Sequence, residues 1–93
     1  MAPYRVRDHR LNNAVIMTRV RYSSHAEVKI KERAISKRLI KQALKNPDRI
    51  TSGFYDRIIF EKQIDAEHKI KVVCEKENEV IIVLTSYITR VER

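Results

Sequence analysis

Residues 36–63, SKRLIKQALKNPDRITSGFYDRIIFEKQ, contain the change of period that decides the fold. Up to Lys45 the apolar residues fall at helical intervals. Leu39, Ile40, Ala43 and Leu44 gather on one face, at i, i+1, i+4 and i+5. Ser36 stands where a helix needs an N-cap, a position at which its hydroxyl accepts from the first turn. Asn46-Pro47-Asp48 ends the helix, because the residue before a proline avoids the α region. Beyond Gly53 the spacing becomes strand-like, and Phe54 to Gln63 reads as a strand. A helix over Lys37–Lys45 followed by a sheet is therefore expected.

Toward the N-terminus, Ser23-Ser24 supplies another cap, and His25 to Ala34 reads as a first helix. Ala26, Ile30 and Ala34 share one face of it and are expected to pack inward. Ala14 to Tyr22 is apolar and then alternates, Val20 and Tyr22 opposite Arg19 and Arg21, which fits a short strand or a helix entry. Residues 1–13 carry Arg5, Arg7, His9 and Arg10 with little to bury, and read as a mobile basic arm. Toward the C-terminus, Ile70 to Glu75 alternates, with Ile70, Val72 and Cys74 on one face. Val80 to Tyr87 is apolar on both faces and is expected to be the central strand. Residues 65–67 and 76–79 are short enough for hairpin connections. The expected architecture is one α+β domain over 1–93: the arm at 1–13, a short strand and two helices over 14–49, and over 50–93 a curved antiparallel sheet of three to four strands on which both helices pack.

The formal charge of +8 is unevenly spread. Residues 1–49 carry 13 Lys and Arg against four Asp and Glu, whereas residues 50–93 carry seven against eight. A basic half joined to a near-neutral half suits a polyanion such as nucleic acid, and suits an acidic protein partner as well. The apolar run Val80–Leu84 is far too short to span a membrane, and the polar N-terminus has no secretory h-region. Cys74 is the only cysteine, so no internal disulfide forms, and a small buried hydrophobe in a reducing cytoplasm is its expected role. His9, His25, His68 and Cys74 lack metal-ligand spacing, and there is no glycine-rich phosphate loop, so no metal or cofactor is expected.

At about 100° per residue, His25, Lys29 and Glu32 fall on one narrow face of the first helix, with Arg33 at its edge. The row unites a group able to move a proton near neutral pH with cations able to stabilise charge on a phosphate. The same row also reads as an ordinary solvated face. Lys37, Lys41 and Lys45 form a basic stripe at i, i+4 and i+8 on the second helix. Tyr87 alternates with Thr85 and Val83, so Thr85 and Tyr87 are expected on a helix-covered or cleft face, where a tyrosine can bond a phosphate or stack on a base. Lys62 could reach a phosphate from the first long strand, or guard a sheet edge.

The ordered pieces Ser24-His25-Ala26-x-x-Lys29-x-x-Glu32-Arg33-x-Ile35-Ser36, Ala43-Leu44-x-Asn46-Pro47-Asp48, Val72-Val73 and Val83-x-Thr85-x-Tyr87 resemble a domain-of-unknown-function family related to the RelE/BrnT-like toxins, within the barnase, colicin and RelE group of ribonuclease folds. The resemblance covers residues 22–90 and implies two helices packed on a four-stranded antiparallel sheet. It also implies a metal-independent endoribonuclease that cuts by attack of the RNA 2′-hydroxyl on the adjacent phosphorus, often with an antitoxin as partner. Carried over by position, His25 is the acid or base, Lys29 and Arg33 hold the phosphate, Lys62 adds a second cation, and Thr85 and Tyr87 orient the substrate. Glu32, Lys37 and Lys41 complete the expected substrate-binding surface. Two positions depart from the pattern: Ala34 stands where glycine is usual, and Lys29 where arginine is frequent. A non-catalytic nucleic-acid-binding module, and a domain that binds an acidic protein or self-associates as a homodimer through a sheet edge, are the competing expectations.

Overall fold

A computed structural model describes residues 19–92. The expected basic arm at 1–13, and residues 14–18 of the apolar stretch, lie outside the described residues. The chain runs through β1 (Arg19–Tyr22), α1 (Ser24–Glu32), α2 (Lys37–Lys45), β2 (Arg49–Ser52), a 3-10 turn (Phe54–Asp56), β3 (Ile58–Gln63), β4 (His68–Glu77) and β5 (Val80–Arg90). The strands form one five-stranded sheet in the order β1-β5-β4-β3-β2. α1 packs on β5 and β1, and α2 packs on β4 and β3. One core lies between helices and sheet, with Ile40, Leu44, Ile50, Phe60, Ile70, Val72, Ile81 and Val83 all but sealed from solvent.

The α+β class holds, with two helices and a five-stranded sheet in place of three to four antiparallel strands. The sheet is mixed, because β1 lies parallel to β5, pairing Arg19–Tyr22 with Val80–Val83. A strand that leaves the sheet through two helices before returning can pair in parallel, whereas hairpins force antiparallel neighbours. β2 is the other addition, a four-residue edge strand paired antiparallel to β3. β3 begins at Ile58 rather than Phe54, because Tyr55 (φ 59°) and Asp56 (φ 62°) are left-handed and cannot continue a strand. β5 is an interior strand, but β4 occupies the middle of the sheet.

Both helices start where their caps predict. Ser23 Oγ accepts from the Ala26 amide and Ser36 Oγ from the Leu39 amide, each at 3.0 Å. Ser23 also ties α1 to the sheet, its amide donating to Val83 O at 3.0 Å and its hydroxyl to Leu84 O at 3.3 Å. Ala26 and Ile30 are buried as expected, but Ala34 is exposed with φ 54°. The reason is the way α1 ends. The Ile35 amide donates to Ile30 O at 3.0 Å and the Ala34 amide to Lys31 O at 3.2 Å, the paired bonds of a Schellman motif, with Ala34 at its left-handed position. Ile35 turns inward in its place, next to Ile30 in the core. A Cβ in the left-handed region costs energy that glycine avoids, so Ala34→Gly is expected to raise stability by about 1 kcal/mol. A thermal melt that rises by about 4–8 °C would bear this out.

The β3–β4 hairpin is organised by one carboxylate. Asp65 Oδ1 accepts from the Glu67 and His68 amides at 2.8 Å each, while the Ile64 amide donates to His68 O at 2.9 Å. The Glu67 amide, and after it the His68 ring, hold the Asp65 carboxyl below its ordinary range. A depressed carboxylate contributes its stabilisation above the unfolded value and loses it as pH falls through the folded one. The Glu67 amide resonance should therefore titrate with a midpoint below about 3.9, the ordinary aspartate value. A midpoint at or above that value would show that the turn does not depend on the ionised side chain.

Candidate functional site

The row predicted on α1 is present on one flank of the helix. His25 is exposed and makes no side-chain hydrogen bond among the described residues. One turn on, Lys29 is two-thirds buried along its stem, and its Nζ lies 3.2 Å from Glu32 Oε1. Arg33 is the residue that joins this row to the sheet. Its Nη1 donates to Ser86 O at 2.7 Å and to Thr85 Oγ1 at 3.3 Å. β1 covers β5 only from Val80 to Val83, so beyond it β5 has β4 on one side and no described strand on the other, the side from which Arg33 meets the Ser86 carbonyl. Arg33 satisfies that carbonyl with one arm, and the rest of its guanidinium fork has no partner among the described residues. The predicted pair Arg33 and Thr85 is thus brought together.

Tyr87 is not brought to this row. A bulge between Val73 and Cys74 in the β4–β5 register shifts the alternation of β5 by one residue. Before it, Ile81 and Val83 are the buried positions, and after it Ser86 takes that role. The expectation that Thr85 and Tyr87 stay in phase with Val83 on a helix-covered face is therefore corrected. Tyr87 pairs with Lys71, which pairs with Glu61, which pairs with Arg49, so all four lie in one row on the face away from the helices. Glu61 in that row is 8% exposed, bridged to Lys69 at 3.2 Å. Lys71 and Arg49 have no side-chain partner among the described residues, and the sequence reading did not single them out. The alternation of Lys69 and Lys71 with Ile70 and Val72 carried the signal, but only the pairing register shows that Lys71 meets Tyr87.

The other predicted cations differ in how free they are. Lys62 Nζ donates to Asn46 O at 3.0 Å, closing an unpaired carbonyl at the C-terminus of α2. Lys37 Nζ lies 2.9 Å from Glu27 Oε1 and 4.6 Å from the centre of the Tyr22 ring, so it straps α2 to α1 and β1. Burial, with Glu27 and Cys74 adding to it, raises the Tyr22 hydroxyl above its ordinary range, which keeps that ring neutral under the lysine. Lys41 and Lys45 are exposed, leaving the outer part of the predicted stripe open. Cys74 is buried and its thiol is pushed upward by burial, which makes it an inert core residue. Among the described residues, no three His, Cys, Asp or Glu side chains gather closely enough to hold a metal ion. No helix among them is long and apolar enough to cross a membrane.

The span from the end of β1 to the exposed end of β5 is also the span over which the chain matches a family. The model of a domain of unknown function, DUF4258, matches residues 22–88. The chain belongs to the DUF4258 family. The match takes in both helices, the α1 row and strands β2 to β4, and most of β5. The DUF4258 span therefore includes the Arg33–Thr85 joint and the Tyr87–Lys71 pair. No curated protein and no solved structure matches the chain.

Proposed function

We propose that this protein is a cytoplasmic, toxin-like endoribonuclease related to the RelE/BrnT-like toxins, gripping RNA along the α1 flank and the end of β5 and cutting it without a metal ion. Arg33 is the observation that carries the reading. One arm of its guanidinium is fixed on Ser86 O and Thr85, which leaves the remaining donors pre-aimed beside Lys29 at the sheet edge. A planar fork of donors held in place suits a phosphate, whose oxygens it meets two at a time. The imbalance of charge toward residues 1–49 supplies the attraction. An acidic, antitoxin-like protein would compete for the same cations.

The test is cleavage of a labelled mixed-sequence RNA in EDTA, comparing wild type with a His25→Ala, Lys29→Ala, Arg33→Ala triple variant. Cutting by wild type alone, leaving cyclic-phosphate ends, supports the reading. Binding without cutting by either protein favours a non-catalytic RNA-binding module. That second reading draws on the row Arg49, Lys71 and Tyr87, whose free cations and exposed ring suit a stacked single strand.

A further inference from the structure

His25 heads the α1 row, yet no side chain among the described residues orients it. His68 has the surroundings that His25 lacks. His68 Nδ1 lies 3.0 Å from Asp65 Oδ1 and 3.2 Å from Oδ2. The Asp65 carboxylate is itself fixed by the Glu67 and His68 amides. A carboxylate on Nδ1 keeps the proton on that nitrogen, so Nε2 is left as the acceptor. The His68 side chain is 40% exposed, which gives Nε2 access to a substrate.

The place of His68 in the sheet suits this role. It pairs with Arg90 across β4–β5, and the neighbouring row runs Lys62, Ile70, Ile88. On that face Ser86 is fully buried, whereas Ile88, two residues on, is 43% exposed. The sheet therefore emerges from under the helices between Ser86 and Ile88. Arg33 stands at that border on Ser86 O, and Arg90 and His68 stand beyond it. Ser86 and Arg90 are about 13 Å apart along the strand, a span that suits phosphates two nucleotides apart on one RNA strand meeting Arg33 and Arg90.

We infer that His68, positioned by Asp65, is the general base of the ribonuclease, with Ile88 as the floor of its site and Arg33 and Arg90 as the phosphate-holding rim. This rests on the ribonuclease reading above. His68 Nε2 takes the proton of the 2′-hydroxyl as the 2′-oxygen bonds to phosphorus. The bond from phosphorus to the 5′-oxygen breaks, and that oxygen leaves as a hydroxyl with a proton from water. The imidazolium then returns its proton to the hydroxide so formed. The products are a 2′,3′-cyclic phosphate and a 5′-hydroxyl. The charged groups on the His68 side are Asp65 and Glu67 on the hairpin, Lys62 on β3 and Arg90 on β5, the last bridged to Glu67 at 3.2 Å, while Lys69 lies on the opposite face with Glu61.

The experiment measures RNA cleavage in EDTA by wild type, His25→Ala, His68→Ala, His68→Gln and Asp65→Asn, with RNA affinity and thermal melting for each. His68→Ala and His68→Gln are expected to fold, bind RNA as wild type does and lose about 10²–10⁴-fold in cleavage rate. Asp65→Asn keeps an acceptor for the turn amides, but its amide N–H can donate to Nδ1 and leave the His68 proton on Nε2. Its kcat should fall about 10²–10⁴-fold while KM stays near the wild-type value, a split that loss of turn structure alone would not produce. Wild-type cleavage retained by both His68 variants, with the loss confined to His25→Ala, would overturn the assignment and leave the ribonuclease reading standing. A wild type that binds RNA and never cuts it would overturn both.

Discussion

Phe60→Ala is expected to remove a large part of the protein's stability. The ring is fully buried on β3, in the helix-side row Ile50–Phe60–Val72–Ser86 that crosses four strands. α2 lies over β3 and β4, with Ile40 and Leu44 in the same core. Ile40, Ile50 and Val72 of the same core are β-branched and stiff, which limits how far they can turn into the space. Emptying such a site costs about 3–5 kcal/mol. A chain of this size holds about 5–14 kcal/mol in total, so the loss takes between about a fifth and all of it. A urea titration and a thermal melt measure the effect, and a midpoint lowered by about 12 °C or more is the expected result. A fall of only a few degrees would mean that the helices close over the gap.

The second large effect is expected at Arg33. Its fork has one observed duty, holding the Ser86 carbonyl at the uncovered edge of β5, and one proposed duty, presenting its remaining donors to RNA. A hydrogen bond to a charged group contributes about 1.5–3 kcal/mol, so Arg33→Ala should weaken RNA binding by about 10–150-fold. For every phosphate of a single strand that the variant no longer neutralises, the slope of log affinity against log salt should also fall by about 0.7. Arg33→Lys separates the duties. An ammonium can still reach Ser86 O, but it cannot hold the carbonyl and grip a phosphate in one planar fork, so stability should recover further than RNA affinity. Filter binding at several salt concentrations, read beside thermal melts, checks both. Unchanged affinity and slope in a folded Arg33→Ala variant would reduce Arg33 to a clamp on the sheet edge.

How much of this was legible beforehand depended on whether a signal was local. Ser23 and Ser36 marked the helix starts because capping involves only the next three residues. The apolar face of α2 gave its bounds as Lys37–Lys45 because both its cap and its proline stop are local. β1 was readable as an alternating stretch, but its parallel partner lies some sixty residues away and leaves no mark beside it. The position of Tyr87 could not be derived from alternation, since the bulge at Val73/Cys74 resets the phase and is set by pairing between two strands. On the site, the α1 row was legible from helical periodicity. Lys62 was visible as a cation near the sheet, but its engagement with Asn46 O depends on where α2 ends over β3. Lys71 was overlooked because its neighbour Tyr87 is supplied by another strand.

The parallel pairing of β1 with β5 also orders events during synthesis. Among the described residues β1 has no other strand beside it, and β5 is the last strand made. Translation proceeds at about 5–20 residues per second, so residues 19–22 wait roughly 3–12 s for residues 80–83 to be polymerised. Until then α1 has neither the Val83 and Leu84 carbonyls that hold Ser23 nor the Ser86 carbonyl that holds Arg33. The cationic flank is therefore assembled only once residues 80–86 have been made, and a chain terminated before them has the charges of the proposed RNA-gripping surface without their arrangement.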